Sequence, residues 1–438
     1  MFRNAFNDLI AWKTSAGRKP LVLRGARQVG KTWLLKEFGK TSYPRCAYVN
    51  FENNRRMKHL FLGDLNIDRL VAGLQIESSV TITDDTLIIF DEVQEVPQAL
   101  TSLKYFAENA PRYQIIAAGS LLGVALHSGN SFPVGKVDFM DLHPMNYAEF
   151  LQAGGHENLL QLLRSGDFEL VAVFRDKYVD SLKQYYYIGG MPEAVSAFAE
   201  TKDLGQVRKI HNRLLAAYEQ DFSKHAPSKV VPRLRMLWNS LPTQLARENR
   251  KFVYGLIRQG ARAREYELAL QWLADCGLVH KVPRVNKPGI PLAAYQDFSS
   301  FKLYMLDVGM LGALSGLDQR TLLEGNGVFS EFQGALTEQY VLQQLIGDKK
   351  IKPYYWSADK STAEVDFLFQ YSSAIIPLEV KATENLQAKS LKSYRQRYQP
   401  AFALRCSLAD YRRDDWLINL PLYAVNVLTD RLASLLPV

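Results

Sequence analysis

Short apolar runs of strand length alternate with helically spaced ones through the first 150 residues. LVLR (Leu21–Arg24), AYVNFE (Ala47–Glu52), TLIIFDE (Thr86–Glu92) and YQIIAAGS (Tyr113–Ser120) are β-branched or apolar runs that predict strands. TWLLKEFGK (Thr32–Lys40) and QALTSLKYFAENA lie between them with helical spacing. Strands interleaved with helices predict a parallel sheet covered on both faces. From Met145 to Leu245 the pattern is that of helices broken by glycines. PRLRMLWNSLPTQLARENR then predicts one helix, and REYELALQWLADCGLVHKV opens with another that ends at Gly277. Two strand-like runs follow, LVHKVPRV and FKLYMLDVG, so this stretch has the outline of a winged helix-turn-helix. The remainder predicts a helix (FSEFQGALTEQYVLQQL), strands at YYWS, EVDFLFQ and AIIPLEVKA, a basic helix (LKSYRQRY) and further strands.

The 438 residues allow about three domains at roughly 150 residues each. The pattern divides them at 1–150, 151–325 and 326–438. Hydrophobic residues at 47% and charged residues at 22% exclude a disordered chain, a collagen-like chain and a coiled-coil rod. No apolar run has the ~18–20 residues of a membrane span, and the N-terminal stretch does not read as a secretion signal. Three scattered cysteines, Cys46, Cys276 and Cys406, argue against a disulfide framework and for a reducing, cytoplasmic compartment. No Cys or His pair has zinc-ligand spacing.

The net charge of +8 is unevenly spread. Thr201–Arg264 holds 14 Lys/Arg against 4 Asp/Glu, and Lys381–Arg413 holds 8 against 2. Two separated basic segments point to a polyanion, DNA above all, met by the middle and C-terminal regions. Arg258, Arg262 and Arg264, ahead of Glu265-Tyr266-Glu267, suit phosphate contacts better than base reading. Lys392, Arg395 and Arg397 of the basic helix are further candidates for phosphate neutralisation. The alternative is a solvated basic face, with the winged helix serving as a packing or lid element.

Gly25-Ala26-Arg27-Gln28-Val29-Gly30-Lys31-Thr32 is a full G-x-x-x-x-G-K-[ST] sequence with a strand before it and a helix after it. Glycines let the backbone curl so that N–H groups point at phosphate oxygens, and the helix N-terminus adds the positive end of its dipole. Lys31 is expected on the β- and γ-phosphates and the Thr32 hydroxyl on Mg²⁺. LIIFDE ends an apolar strand in two acids: Asp91 to hold the metal, Glu92 to orient and deprotonate the attacking water. Ser120, at the tip of the next strand, is expected between the γ-phosphate and that pair. ATP and Mg²⁺ are therefore the expected ligands.

The loop, the Asp-Glu strand and the polar-tipped strand resemble the P-loop ATPases of the AAA+ class. That resemblance implies an extra strand between the two motifs, a catalytic glutamate beside the magnesium aspartate, and an arginine finger supplied in cis or by a neighbouring subunit of an oligomer. Where close relatives are expected to carry Gly-Arg after the third strand, this chain reads Gly135-Lys136. Arg27 and Arg247 are loose candidates for the finger. YYYIGGMPEAV, FKLYMLDVGML, FQGALTEQYVLQQL and EVDFLFQ…PLEVKA resemble, in order and spacing, prokaryotic ATPases with a winged-helix region and a C-terminal nuclease-like domain of unknown function.

Asp366, followed thirteen positions later by Glu379-Val380-Lys381, resembles the PD-(D/E)XK nuclease core. Residues i and i+2 of a strand share a face, so Glu379 and Lys381 point the same way. In that pattern Asp366 and Glu379 bind Mg²⁺, Lys381 activates a water, and Glu338 from the preceding helix completes the set. The overall expectation is an α/β chain: a P-loop NTPase sheet, a helical and winged-helix middle, and a restriction-endonuclease-like end. Three readings remain open: an ATPase coupled to DNA, a switch that acts through a protein partner with an inactive nuclease fold, and an active nuclease gated by ATP.

Overall fold

The computed structural model describes residues 2–120, 122, 135–247, 250–324, 330–347, 351–358, 362–384 and 386–435. It forms two compact units, Met1–His143 with Asp275–Leu278, and Pro144–Ala274 with Val279–Val438.

The first unit contains α1 (Ala5–Thr14), β1 (Leu21–Arg24), α2 (Lys31–Ser42), β2 (Arg45–Asn50), α3 (Arg55–Leu62), α4 (Ile67–Ser78), β3 (Thr86–Asp91), α5 (Pro97–Asn109), β4 (Gln114–Ala118) and β5 (Asp138–Asp141). Its sheet runs β2-β3-β4-β1-β5 with every pairing parallel. β4 therefore separates the loop-bearing strand from the Asp-Glu strand, as the resemblance implied. Every residue of β3 is buried, which is why this central strand reads as an unbroken apolar run rather than an alternating one. Helix α2 runs past Gly39 to Ser42, two residues further than the sequence pattern predicts. Gly39 is there for close packing: a Cβ at this position would lie 2.4 Å from Cys46 Sγ on β2.

The second unit begins with helices α6 (Tyr147–Ala153), α7 (Glu157–Ser165), α8 (Phe168–Val173), α9 (Arg175–Ile188), α10 (Pro192–Thr201), α11 (Leu204–His225), α12 (Val231–Leu245) and α13 (Ala263–Asp275). Next come the hairpin β6 (Val279–Val285) and β7 (Gln296–Met305), then α14 (Val308–Leu314), α15 (Gln319–Glu324) and α16 (Ser330–Gly347). The unit ends with β8 (Tyr354–Ser357), β9 (Glu364–Tyr371), β10 (Ala374–Val380), α17 (Lys389–Tyr398), β11 (Ala403–Ser407), β12 (Arg412–Arg413), β13 (Leu417–Pro421) and α18 (Leu428–Leu435).

The eight strands described in this unit form one sheet in the order β12-β13-β11-β10-β9-β8-β6-β7. Two helices and a hairpin do occur where a winged helix was expected, but the hairpin is not a free wing. β6 pairs in parallel with β8 through Arg284↔Tyr355 and Val285↔Trp356. Val285, Trp356 and Leu292 share a core with Leu391 and Tyr394 of α17. The expected boundary at 325/326 lies outside the described residues; β6 and β7 before it and β8 after it belong to one sheet. The apolar residues that join it lie about seventy positions apart in the chain, beyond the reach of local pattern.

Three of the segments that carry the resemblance, YYYIGGMPEAV, FKLYMLDVGML and FQGALTEQYVLQQL, meet in a buried polar junction. Asp307, which caps α14, accepts from Gly190 N at 2.6 Å, Gln343 Nε2 at 3.0 Å and Met310 N at 3.0 Å. Gly189 has φ +67°, and a Cβ there would lie 2.1 Å from the Asp307 carboxylate; one at Gly190 would lie 1.9 Å from Met145 O. Gln339 and Gln344 of α16 hold the backbones of Met305 and Tyr147. The IGG turn, assigned no chemistry from sequence, is thus a structural knot.

Candidate functional site

The glycine-rich loop joins β1 to α2. Gly25 (φ +152°) passes so close to the Leu142 carbonyl that a Cβ would lie 2.3 Å from its oxygen. Gln28 and Gly30 are left-handed at φ 65° and 93°, and Gly30 caps α2. Ala26 and Val29 are buried, which holds the loop against the unit while the N-terminus of α2 opens at its centre. Arg3, also buried, reaches across to donate to Val29 O at 2.8 Å and His143 O at 2.6 Å. Nothing in the sequence pattern singles out Arg3, because its partners are carbonyls.

The Lys31 ammonium is turned back onto the loop, donating to the Gly25 and Ala26 carbonyls, both at 2.8 Å. Burial holds it down to about 8, against the pull of Glu92 and Asp91. Thr32 Oγ1 donates to Asp91 Oδ2 at 2.7 Å. The same oxygen accepts from the Tyr48 hydroxyl of β2 at 2.8 Å, a partner the sequence reading missed. Asp91 is 2% exposed. One hydroxyl and one carboxylate oxygen at a single point suit Mg²⁺, and a lysine held down only to about 8 is still mostly protonated at neutral pH and suits a phosphate. The residues therefore fit MgATP.

Glu92 stands just past β3 in the left-handed region (φ 51°), which turns its side chain out of the strand's alternation. Gln94 Nε2 donates to Glu92 Oε2 at 2.6 Å. Gly119, at the tip of β4, leaves the room that Gln94 needs: a Cβ there would lie 2.0 Å from Gln94 Oε1. Ser120 follows, 8% exposed. Gln94 was also missed; its position two residues after Glu92 was the available signal. Lys136 is paired with Glu108 at 3.0 Å, and Arg247 is exposed in the second unit.

The lowered lysine gives a pH dependence. Between about pH 8 and its ordinary 10.5, Lys31 carries fewer protons in the folded chain than in the unfolded one. The nucleotide-free chain therefore gains stability from this group as pH rises through that window. A bound phosphate restores the charge, so nucleotide binding above about pH 8 takes up protons and weakens with rising pH. Calorimetry in buffers of different ionisation heat is expected to show that uptake; proton release on binding contradicts it.

The second unit brings only part of the expected nuclease set together. Glu338 is buried on α16, accepts from Tyr304 OH at 2.8 Å and is ion-paired with Arg250. Lys302 Nζ lies 2.6 Å from Glu364, 3.6 Å from Glu338 and 3.7 Å from Asp366. Burial disfavours the Glu338 anion, but Arg250 and Lys302 outweigh that and draw it down to about 2. Burial and Glu338 push Asp366 well up. Asp366 Oδ2 accepts from Val380 N at 2.7 Å. Glu379 instead meets Lys381, just past the end of β10, at 2.9 Å. Among the described residues no three Asp, Glu, His or Cys side chains are placed to hold a metal. Glu338 and Asp366 thus meet around Lys302, while Glu379 pairs with Lys381. The cations that intervene come from Arg250 and β7, outside the motif.

Arg258, Arg262 and Arg264 are exposed, the first two ahead of α13 and the third in its first turn. Arg258 lies 3.4 Å from Glu265. Lys392, Arg395 and Arg397 are exposed on α17; Arg395 also covers Trp416, and Arg397 covers Trp356. No described helix is long and apolar enough to cross a membrane.

Residues 179–321 and 333–424 match two families, each described as a domain of unknown function (DUF8612 and DUF4143). Uncharacterized proteins of Mycobacterium tuberculosis and Mycobacterium bovis are each 24% identical over 380 residues, covering 84% of this chain and 71% of theirs. Among solved structures, a Walker-type ATPase of Pyrococcus abyssi is similar at 15% identity and TM-score 0.43, covering 72% of this chain and 95% of that one. The Orc1 protein of Aeropyrum pernix in complex with DNA gives 13%, 0.28, 72% and 91% in the same order. The strand order rests on its own registers, not on likenesses of this extent. Residues 17–151 match a family described as an AAA domain; the loop and the strand order give the amino-terminal unit a P-loop NTPase-like fold.

Proposed function

We propose that the chain binds and hydrolyses ATP with Mg²⁺ and couples nucleotide state to engagement of DNA by its middle and C-terminal segments. The observation that carries the ATPase reading is the convergence of Thr32, Asp91 and Glu92 beside a buried lysine, on a loop where Gly25 leaves no room for a side chain and Gly30 is left-handed. In this reading the loop N–H groups and the dipole of α2 receive the phosphates. Lys31 exchanges its two carbonyl partners for β- and γ-phosphate oxygens. Thr32 and Asp91 hold the metal, which when bound neutralises charge on the phosphates. Tyr48 fixes the Asp91 carboxylate. Gln94 holds one oxygen of Glu92 and leaves the other to take a proton from the attacking water. Ser120 donates toward the γ-phosphate. Arg27 or Arg247, offered to a neighbouring copy, is the proposed finger of an oligomer, and the sparse free cysteines support a cytoplasmic setting.

The DNA half rests on the exposed arginines at 258, 262 and 264 and on the basic face of α17. The observed binding constant for duplex DNA is expected to fall steeply with salt, and replacing those three arginines with alanine should reduce the log–log slope by up to about 3. Fluorescence anisotropy at several salt concentrations, with duplex, single-stranded and branched DNA and with and without ATP, checks this. Binding to no form of DNA would favour the second reading, a nucleotide switch that acts on a protein partner. The neutralised carboxylate cluster of the C-terminal sheet supports that alternative.

A further inference from the structure

The nuclease-like pattern implies a divalent metal among Glu338, Asp366 and Glu379, and the residues present do not fit one. We propose that the Lys302 ammonium is a built-in cation at that place, so that the C-terminal sheet is a metal-independent module with an occluded cation site. Lys302 is 0% exposed. Its Nζ is in ion-pair range of Glu364, Glu338 and Asp366 together, and the Tyr355 ring lies 5.2 Å from it on another side. Three carboxylates from two different elements, α16 and β9, converge on one ammonium.

A divalent ion needs several oxygens at about 2.0–2.6 Å, and it cannot take them from the same carboxylates while the ammonium stands among them. The remaining positions are also taken. Arg250 and the Tyr304 hydroxyl hold Glu338, and the Val380 N–H holds Asp366. The lysine of the E-x-K sequence is paired with its own glutamate. Lys302 lies on β7, so the cation is delivered by the same hairpin that β6 joins to β8. This hairpin therefore supplies the charge that the metal would have supplied. The expected two-carboxylate route to phosphodiester cleavage is closed while Lys302 stands among these carboxylates.

Removing the ammonium should open the site. Nucleotide-free parent, Lys302→Met and Lys302→Arg are compared by equilibrium dialysis against Mn²⁺ and by thermal denaturation with and without Mn²⁺. Any Mn²⁺ held by Thr32 and Asp91 is common to all three, so the difference reads the C-terminal cluster alone and is independent of whether the ATPase reading holds. Lys302→Met is expected to bind about one more Mn²⁺ per chain than parent and to melt several degrees higher with the ion than without it. Lys302→Arg, which keeps the charge, should behave as parent. If Lys302→Met folds only when refolded with Mn²⁺, that dependence is the same result. The proposal is overturned if Lys302→Met binds no more Mn²⁺ than parent, or does not refold in either condition. It is equally overturned if Glu364→Gln removes a bound Mn²⁺ from the otherwise unaltered chain.

Discussion

Glu92→Gln is expected to bind MgATP as tightly as the parent chain and to turn it over ~10²–10⁴-fold more slowly. The substitution leaves the geometry in place. Gln94 Nε2 donates to a side-chain oxygen of residue 92, and a glutamine offers an oxygen to the same donor. The left-handed backbone at this position does not depend on the charge. The phosphate-binding groups, namely the loop amides, Lys31 and Thr32, are untouched. What disappears is the carboxylate that can accept a proton, so binding and chemistry separate. Steady-state hydrolysis alongside nucleotide affinity tests this. Parent-like turnover would mean that another group takes the proton. Loss of affinity along with turnover would mean that Glu92 is chiefly structural.

The second large effect is on stability, away from the site. Asp307→Ala removes the shared acceptor of Gly190 N, Met310 N and Gln343 Nε2. The junction is sealed, so water cannot replace it without opening the packing. A buried donor left without a partner costs about 1–3 kcal/mol. Three of them, less what relaxation recovers, amount to on the order of 3–5 kcal/mol, a large share of the ~5–15 kcal/mol that holds a typical domain together. Burial already pushes the Asp307 carboxyl up against the hydrogen bonds that favour its anion, so the carboxylate is kept at a cost that only those bonds offset. A urea or guanidinium midpoint for the second unit well below that of the parent is expected. Asp307→Asn, which keeps one acceptor oxygen, should fall between the two, and an unshifted midpoint for Asp307→Ala would contradict the junction's role.

The nucleotide site was legible in the sequence because its chemistry is local. Eight consecutive residues make the loop, and the strand that ends in Asp91 and Glu92 is apolar throughout because it is buried on both faces. The partners that orient these groups were not legible. Arg3 acts on backbone carbonyls, which carry no sequence signal. Tyr48 meets Asp91 only because β2 lies beside β3 in a register that pairs Asn50 with Asp91. The second unit shows the same division. YYWS and EVDFLFQ were read as strands and form β8 and most of β9, and the IGG, LDVGM and VLQQL segments stood out without a role. Their role is to meet one another across long separations around Asp307. The carboxylate set was visible as a pattern, yet its charge balance depends on Lys302, a residue in a hairpin that the same reading had assigned to a separate winged helix. Non-local strand pairing joins β6 and β7 to the C-terminal sheet and brings Lys302 to its carboxylates.

The central claim is that the first unit holds a triphosphate on backbone amides and one buried ammonium, with Thr32 and Asp91 supplying the metal's protein ligands. Titration of nucleotide-free protein with ATP in a calorimeter, with and without Mg²⁺, and repeated on Lys31→Ala, tests it most directly. Saturable binding near one nucleotide per chain, strengthened by Mg²⁺ and lost in a folded Lys31→Ala, is the predicted result. Absence of heat and of displacement for either ATP or GTP in the presence of Mg²⁺ would contradict it.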